Sequence, residues 1–504
     1  MNKEELVVGL DSSTTATKAI AWRRDGSIAG IGRARIGLNS LGNNRFEQNA
    51  EDWWLSASAA LRELCTQIDA ATIAGIGISN QRETFVPLGE DCKPVRAAIV
   101  WLDQRCEEEV TWLSERIGHE KIHRISGKPP DMGPVAYRIA WMKRQEPELF
   151  RQTRMFADVH TYLSWRLTGE FRTSWASADP LGLFDLEHKH WSPEILEALG
   201  LTSEQLPKTF APGSIIGNVT TAAASETGLR KGTPVIAGGG DGQAAGLGAN
   251  TLDPETAYLN LGTAVVSGVY SKEYRVGQAW RTMGSCTGEG YYFETSLRSG
   301  SMLMDWFAHA ICGSSPNENL HLLLETEAEQ IAIGSEGLLA LPYWGAVMTP
   351  YWDANARGCF IGLSSSHRRG HLYRALLEGI ALEQALVTGM IEETTGQSIK
   401  AFHAIGGGAA NDLWCQIMAD ASGKTVRRSE SVEASSLGVA ICAAVGTNWF
   451  PDFREAATAM CSDEYREMAP LPEHQVRYRE LLKIYRELYP KLRESFAKLA
   501  PWRR

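Results

Sequence analysis

The chain has 504 residues, of which 44% are hydrophobic and 22% charged, and its formal net charge is −10. That length exceeds what one hydrophobic core serves, so two large domains are expected, and the acid excess excludes a broad nucleic-acid surface, because nothing neutralises phosphates over a face. The nine cysteines form no Cys-x-x-Cys pair, no apolar run approaches the ~20 residues that span a bilayer, and the first residues lack the apolar core of a signal peptide, so the expectation is a cytoplasmic protein with free thiols and neither a membrane nor a nucleic-acid partner.

The first apolar run, residues 7–10, ends at Asp11; six small or hydroxylated residues follow, then a second apolar run that reaches Trp22. This reads as strand, tight hairpin, strand. The hydroxyls of Ser13, Thr14 and Thr15, close-lying backbone amides and the Lys18 amine are the donors that phosphate oxygens need. Asp11, at the strand end, is placed to hold a magnesium ion through water. The plainer alternative is an ordinary hairpin with a polar turn.

A helix is predicted over 50–68, capped by Asn49 or Asp52. A buried strand over 73–78 follows and runs into the polar cluster 79–84. There Gln81, Arg82 and Glu83 set a fork of donors beside an acceptor, which suits vicinal hydroxyls on a polyol; the alternative is a surface ion pair of little energetic weight. Trp101 follows a strand at 97–100, and its indole fits the carbon face of a sugar or a place in the core. Helices are expected over 104–118, 134–146 and 155–168. His119-Glu120-Lys121-Ile122-His123 matches the HExxH zinc pattern. Its helix is short, bounded by Gly118 and by Ser126-Gly127, and no third ligand follows, so both histidines are read as solvated, as are His188 and His190 in an exposed turn. Cys106, Cys286 and Cys415 read as buried small apolar residues.

Strand signals return over 206–240. A strand at 234–237 enters three glycines and then Asp241, before helical text at 244–247. An acid at such a strand end can accept the proton of a substrate hydroxyl, or simply cap the helix. The opening pattern then recurs: a strand at 256–261, the turn Gly262-Thr263-Ala264 and a strand at 265–270. Two halves that each begin with a small-residue hairpin suggest duplicated domains, 1–249 and 250–504, facing each other across a cleft, joined by a compact hinge, with helices closing the second half beyond about 365. Gly406-Gly407-Gly408 lies between a strand at 401–404 and a helix at 413–421, where a base or a phosphate can rest against the backbone. There is no GxxxxGK[ST] loop, so the phosphates of a nucleotide would fall to the two hairpins and this turn.

Taken in order, GLDSSTTATKA (9–19), NQRET (80–84), AIVWLDQR (98–105), GGGDGQAAGLG (238–248), NLGTA (260–264), TPYWDANARGCFIGL (349–363) and GGGAANDLWCQIMAD (406–420) resemble the signature segments of the FGGY carbohydrate kinases over nearly the whole chain. The resemblance implies an α/β fold of two actin-like, ribonuclease H-like domains around a cleft for ATP, Mg²⁺ and a small sugar or polyol, and a possible homodimer. It implies that Asp241 is the base, that Asp11 helps place Mg²⁺, that Thr14, Thr15, Gly262 and Thr263 face the phosphates, that Gly407, Gly408 and Asn411 face adenosine, and that Arg82, Glu83 and Trp101 meet the acceptor. Two departures from glycerol kinases remove bulk: Gly133 stands where those enzymes carry Tyr, and Gly242 where they carry Gln. Both favour a longer acceptor. Xylulokinases share the opening DSST and the glycines before Asp241, but carry a Met-His pair where Arg82-Glu83 stand. Arg138 replaces the family's Lys and reads as a harmless exchange on a surface helix. The expectation is an ATP-dependent kinase acting on a primary hydroxyl of a ketopentose such as xylulose. The runner-up acceptor is glycerol or another short polyol, and the distant alternative is a non-catalytic actin-like nucleotide-binding regulator.

Overall fold

The computed structural model describes residues 4–313, 320–429 and 433–502. The opening hairpin forms as Leu6–Ser12 and Ala16–Trp22, and the recurrence as Thr256–Leu261 and Val265–Ser271. Each hairpin seeds a sheet. The first sheet runs Ile215–Asn218, Pro234–Gly240, Ile73–Asn80, Leu6–Ser12, Ala16–Trp22, Ile28–Arg35. The second runs Tyr465–Met468, Thr425–Ser429, Ala401–Ile405, Thr256–Leu261, Val265–Ser271, Tyr291–Leu297, Arg281–Gly284. The first six positions correspond in pairing as well as in order. An antiparallel edge strand is followed by two strands parallel to the start of the hairpin, and the antiparallel hairpin is then extended by one more strand. This is the duplicated actin-like, α/β plan expected from the sequence.

The central strands read as unbroken apolar runs because helices cover both faces. Ala50–Cys65, capped by the Asn49 side chain, packs Trp53, Leu61 and Leu64 into one core with Val8 and Leu10. The other face of the first sheet receives Ala434–Gly446, a helix from the second half, whose Val439 and Ala440 share a core with Val7 and Ile236. A Cβ on Gly9 would lie 2.0 Å from the Ser436 carbonyl oxygen, and one on Gly77 2.0 Å from that of Val439, so these strand glycines let the helix backbone rest directly on the sheet. In return Asp241–Gly248 of the first half packs against Tyr258 and Tyr292 of the second sheet. The exchange of helices explains how the halves join without a flexible tract.

Two predicted helices begin later than expected. Of 155–168, Met155–Asp158 is a strand paired antiparallel with Phe85–Leu88, and the helix is Val159–Thr168, capped by Asp158. The short apolar run is the edge of a sheet, and the Asp158 carboxylate, accepting from the Thr161 amide at 2.9 Å, sets the switch. The helix expected from 104 begins at Glu107, because the Asp103 carboxylate accepts the Arg105 amide and guanidinium and holds that stretch as a turn. Among the described residues no helix is long and apolar enough to cross a membrane.

The second half closes with Arg369–Thr395 packed against Pro472–Leu499. Between them Glu383 is buried, accepting the Tyr343 and Tyr485 hydroxyls on Oε2 at 2.8 and 2.6 Å, while Oε1 has no partner. Burial pushes its carboxyl up to about 7. The folded protein therefore holds a proton that the unfolded chain releases near pH 4.5. Stability is full below that value, declines between the two and stays reduced above pH 7. Glu383→Gln keeps both tyrosine bonds and removes the titration. It is expected to raise Tm by roughly 2–5 °C at pH 8.5 and to show no gain at pH 4.5, as read by calorimetry; an equal gain at both pH values would refute the account.

Candidate functional site

Between the halves lies a cavity of about 330 Å³ that brings together Asp11, Ser13, Thr14, Arg82, Glu83, Trp101 and Asp241 from the first half with Gly262 and Thr263 from the second. Each sits at the C-terminal end of a strand or in the turn beyond it, where backbone amides are not consumed by the sheet ladder. In the first turn the Ser13 hydroxyl donates to the Ala16 carbonyl at 2.9 Å and closes the hairpin. The Thr14 hydroxyl accepts the Trp101 indole N–H at 2.9 Å, which fixes the flat face of that ring beside the turn.

Asp241 opens the helix Asp241–Gly248 and is 42% exposed to the cleft. Its Oδ1 accepts the Gly242 amide at 2.7 Å and lies 3.0 Å from Arg82 Nε. Burial raises its carboxyl above the ordinary carboxylate range, against the pull of Arg82. Asp11 accepts the Ser79 hydroxyl at 2.8 Å; burial, with a contribution from Asp241, pushes it up to about 6. A carboxylate at the cleft with a second negative charge near it suits a divalent cation that keeps much of its water, as Mg²⁺ does, and Asp11 is the residue that would hold one. Among the described residues no group of three or more metal-ligating side chains stands together, so water and phosphate oxygens would complete such a site.

Arg82 and Glu83 do not form an exposed ion pair with each other. Arg82 Nη1 lies 2.8 Å from Glu294, and Glu83 lies 2.7 Å from Arg281 Nη1. Both partners come from the second sheet, and the sequence reading missed both. The available signal was a glutamate inside the fully buried strand Tyr291–Leu297, because a charge in such a place is almost always paired. Arg298, 3.0 Å from Asp131, also lines the cavity.

Six of the predicted residues lie outside this cavity. Gln81 is buried, bonding Gln48 at 2.9 Å. Thr15 faces solvent. The Lys18 amine pairs with Glu433 at 2.7 Å, a carboxylate that Arg33 also binds. Gly407 and Gly408 form the turn after Ala401–Ile405, and a Cβ on Gly408 would meet the Leu261 carbonyl at 2.6 Å, so the turn abuts the second hairpin. The Asn411 side chain accepts the Trp414 amide at 2.8 Å and caps Asp412–Ser422.

The two glycines read as added room differ. A Cβ on Gly133 meets nothing closer than an Asp131 oxygen at 3.4 Å, so that position opens into the cavity. One on Gly242 would stand 2.9 Å from Arg82 Nη2, so that space is taken by the guanidinium and is not extra volume. Arg138 is not on a surface. It is fully buried because its guanidinium is drawn inward by backbone carbonyls of the cavity wall. His123 is half-buried and pushed down to about 4 by burial, not solvated; His119, His188 and His190 are exposed, as expected. Cys106, Cys286 and Cys415 are buried, and burial raises all three thiols.

The sequence model of the FGGY family of carbohydrate kinases, N-terminal domain, matches residues 6–248, and that of the C-terminal domain matches 257–447. A xylulose kinase of Bacillus subtilis is 30% identical over 99% of each chain. A gluconokinase of the same organism is 25% identical, covering 99% of this chain and 98% of its own. The crystal structure of a xylulose kinase from Rhodospirillum rubrum superposes with a TM-score of 0.89 at 27% identity, covering 98% of this chain and all of that one.

Proposed function

Because the chain belongs to the FGGY family of carbohydrate kinases, we propose that it transfers the γ-phosphoryl group of ATP to a primary hydroxyl of a small neutral sugar, a ketopentose such as xylulose. The observation that carries this reading is the meeting of Asp241 with the small-residue turns of both hairpins in one cavity. In the reaction the acceptor oxygen forms its bond to the γ-phosphorus as the bond to the ADP oxygen breaks, and Asp241 takes the hydroxyl proton. Backbone amides around Thr14, Gly262 and Thr263 face the phosphate oxygens, and the turn at Gly407, Gly408 and Asn411 carries the adenosine. Asp11 would hold, through water, a magnesium ion that supplies positive charge against the transferred group when bound. Trp101 offers its flat face to the carbon side of the sugar. The two domains are taken as 1–249 and 250–504; the family matches at 6–248 and 257–447 support a boundary near residue 250.

The charge balance favours a neutral acceptor over a sugar acid, the reading that the gluconokinase relative raises. Each guanidinium on the cavity, from Arg82, Arg281 and Arg298, is already bonded to a carboxylate, which leaves no spare cation for an acceptor's own. An ADP-release assay with D-xylulose, glycerol and D-gluconate tests this. Xylulose is expected to lead in kcat/KM by about tenfold or more, and a lead for gluconate would sink the assignment. Gly133→Phe fills the open end of the cavity. It is expected to lower kcat/KM for xylulose by about tenfold and that for glycerol by less than about threefold; equal losses would show that Gly133 does not set acceptor length.

A further inference from the structure

Glu294 is fully buried, and a carboxylate so placed is tolerated only with close cationic and hydrogen-bond partners. Arg82 Nη1 reaches its two oxygens at 3.0 and 2.8 Å, Arg281 Nε donates at 2.7 Å and the Tyr258 hydroxyl at 2.6 Å. Against the upward push of burial, the two guanidiniums hold its carboxyl down to about 2. The other end of Arg82, Nε, lies 3.0 Å from Asp241. Asp241, Arg82, Glu294, Arg281 and Glu83 thus alternate in sign along one line that starts at the base, crosses to the second half and returns. The backbone beneath Arg82 is shaped to the same end. A Cβ on Gly240 would stand 2.5 Å from its Cγ, and one on Gly242 2.9 Å from Nη2, so a side chain at either place would push the guanidinium off this line.

We propose that Glu294 is a positioning residue for phosphoryl transfer: by holding Arg82 Nη1 it keeps that guanidinium on Asp241 through Nε alone, so the carboxylate is oriented yet retains an oxygen for the acceptor hydroxyl. This rests on the reading of Asp241 as base. Without the charge on Glu294, the carboxylate left to Arg82 is Asp241 itself, and a guanidinium chelates a carboxylate through two parallel bonds when free to do so. A base chelated in that way is covered and less basic. Arg82 and Glu83 belong to one half, Glu294 and Arg281 to the other. Parting of the halves therefore breaks both pairs together, and the base is set only in the closed cleft, where water is excluded.

Glu294→Gln preserves size and the acceptor for Tyr258. It is expected to lower kcat by about 10- to 100-fold, to move the acid limb of the kcat/KM profile to lower pH and to leave the KM for ATP within about twofold. Gly242→Ala displaces the same guanidinium by contact alone, with all charges kept, and is expected to lower kcat in the same direction. An unshifted acid limb in Glu294→Gln overturns the proposal, whether or not the enzyme is slower. Should that variant fail to fold, Gly242→Ala with unchanged kcat overturns it instead. Asp241→Asn separates the premises: if it still turns over, the base assignment has failed and Glu294 has nothing to position; if it is inactive and the acid limb of Glu294→Gln stays put, only the positioning role has failed.

Discussion

Asp241→Ala is expected to lower kcat by about 10²–10⁴-fold, the range associated with loss of a positioned general base, while ATP binding measured by calorimetry stays within about threefold of the parent. The split follows from where the side chain stands. Its contacts are the Gly242 amide and Arg82 Nε, neither of which belongs to the hairpin turns proposed for the phosphates. The parent enzyme should also lose activity on acidification earlier than an ordinary aspartate would dictate, because burial raises this carboxyl and a protonated carboxyl cannot take the hydroxyl proton. In the variant that limb should vanish from whatever residual rate remains. Turnover within tenfold of the parent would remove Asp241 from the chemistry and leave the cavity as a binding site only.

Much of the cavity was legible in the sequence because the residues of its turns are local. The two hairpins, the glycines before Asp241 and the polar cluster after Ile73–Asn80 each lie at the end of an apolar run, and the run alone places them at the end of a strand. What was not legible depends on partners far along the chain. Arg82 and Glu294 are 212 residues apart, and nothing near Arg82 says that a carboxylate from the other half will claim it. Lys18 reads as a phosphate donor by its neighbours, yet its amine goes to Glu433, 415 residues on. Gly242 reads as vacant space because a missing side chain gives no hint of the Arg82 guanidinium that crosses it. Asn411 reads as a nucleotide ligand by its place after the glycines; its side-chain oxygen in fact accepts the Trp414 amide and caps the next helix.

Arg138→Met should be the most damaging change outside the cavity. The residue sits in Val135–Gln145, where an arginine is by default a solvated side chain, and a sequence reading assigns it no task. Its guanidinium instead donates to the carbonyls of Glu83 at 2.5 Å, Trp101 at 3.1 Å, Asp103 at 3.3 Å, Met132 at 3.0 Å and Gly133 at 2.7 Å. All five residues line the cavity. Three separate segments of its wall are thereby tied to one planar group. Glu83 has a φ of +49°, a left-handed conformation that costs a non-glycine residue about 1–2 kcal/mol, and the bond to its carbonyl helps to hold it there. Methionine fills the volume but leaves five carbonyls without this donor, those of Glu83, Asp103 and Met132 buried, and the expected loss of stability is about 3–5 kcal/mol. The acceptor KM should rise by about tenfold or more as the wall relaxes, with little change in the KM for ATP. Lysine, the residue that FGGY kinases carry at this position, offers three donors from one point in place of five in a fork. Arg138→Lys should therefore fall between the parent and the methionine variant in both Tm and acceptor KM. A methionine variant with the parent's Tm and acceptor KM would show that the five carbonyls find water as readily as they find the guanidinium, and that the wall holds its shape without it.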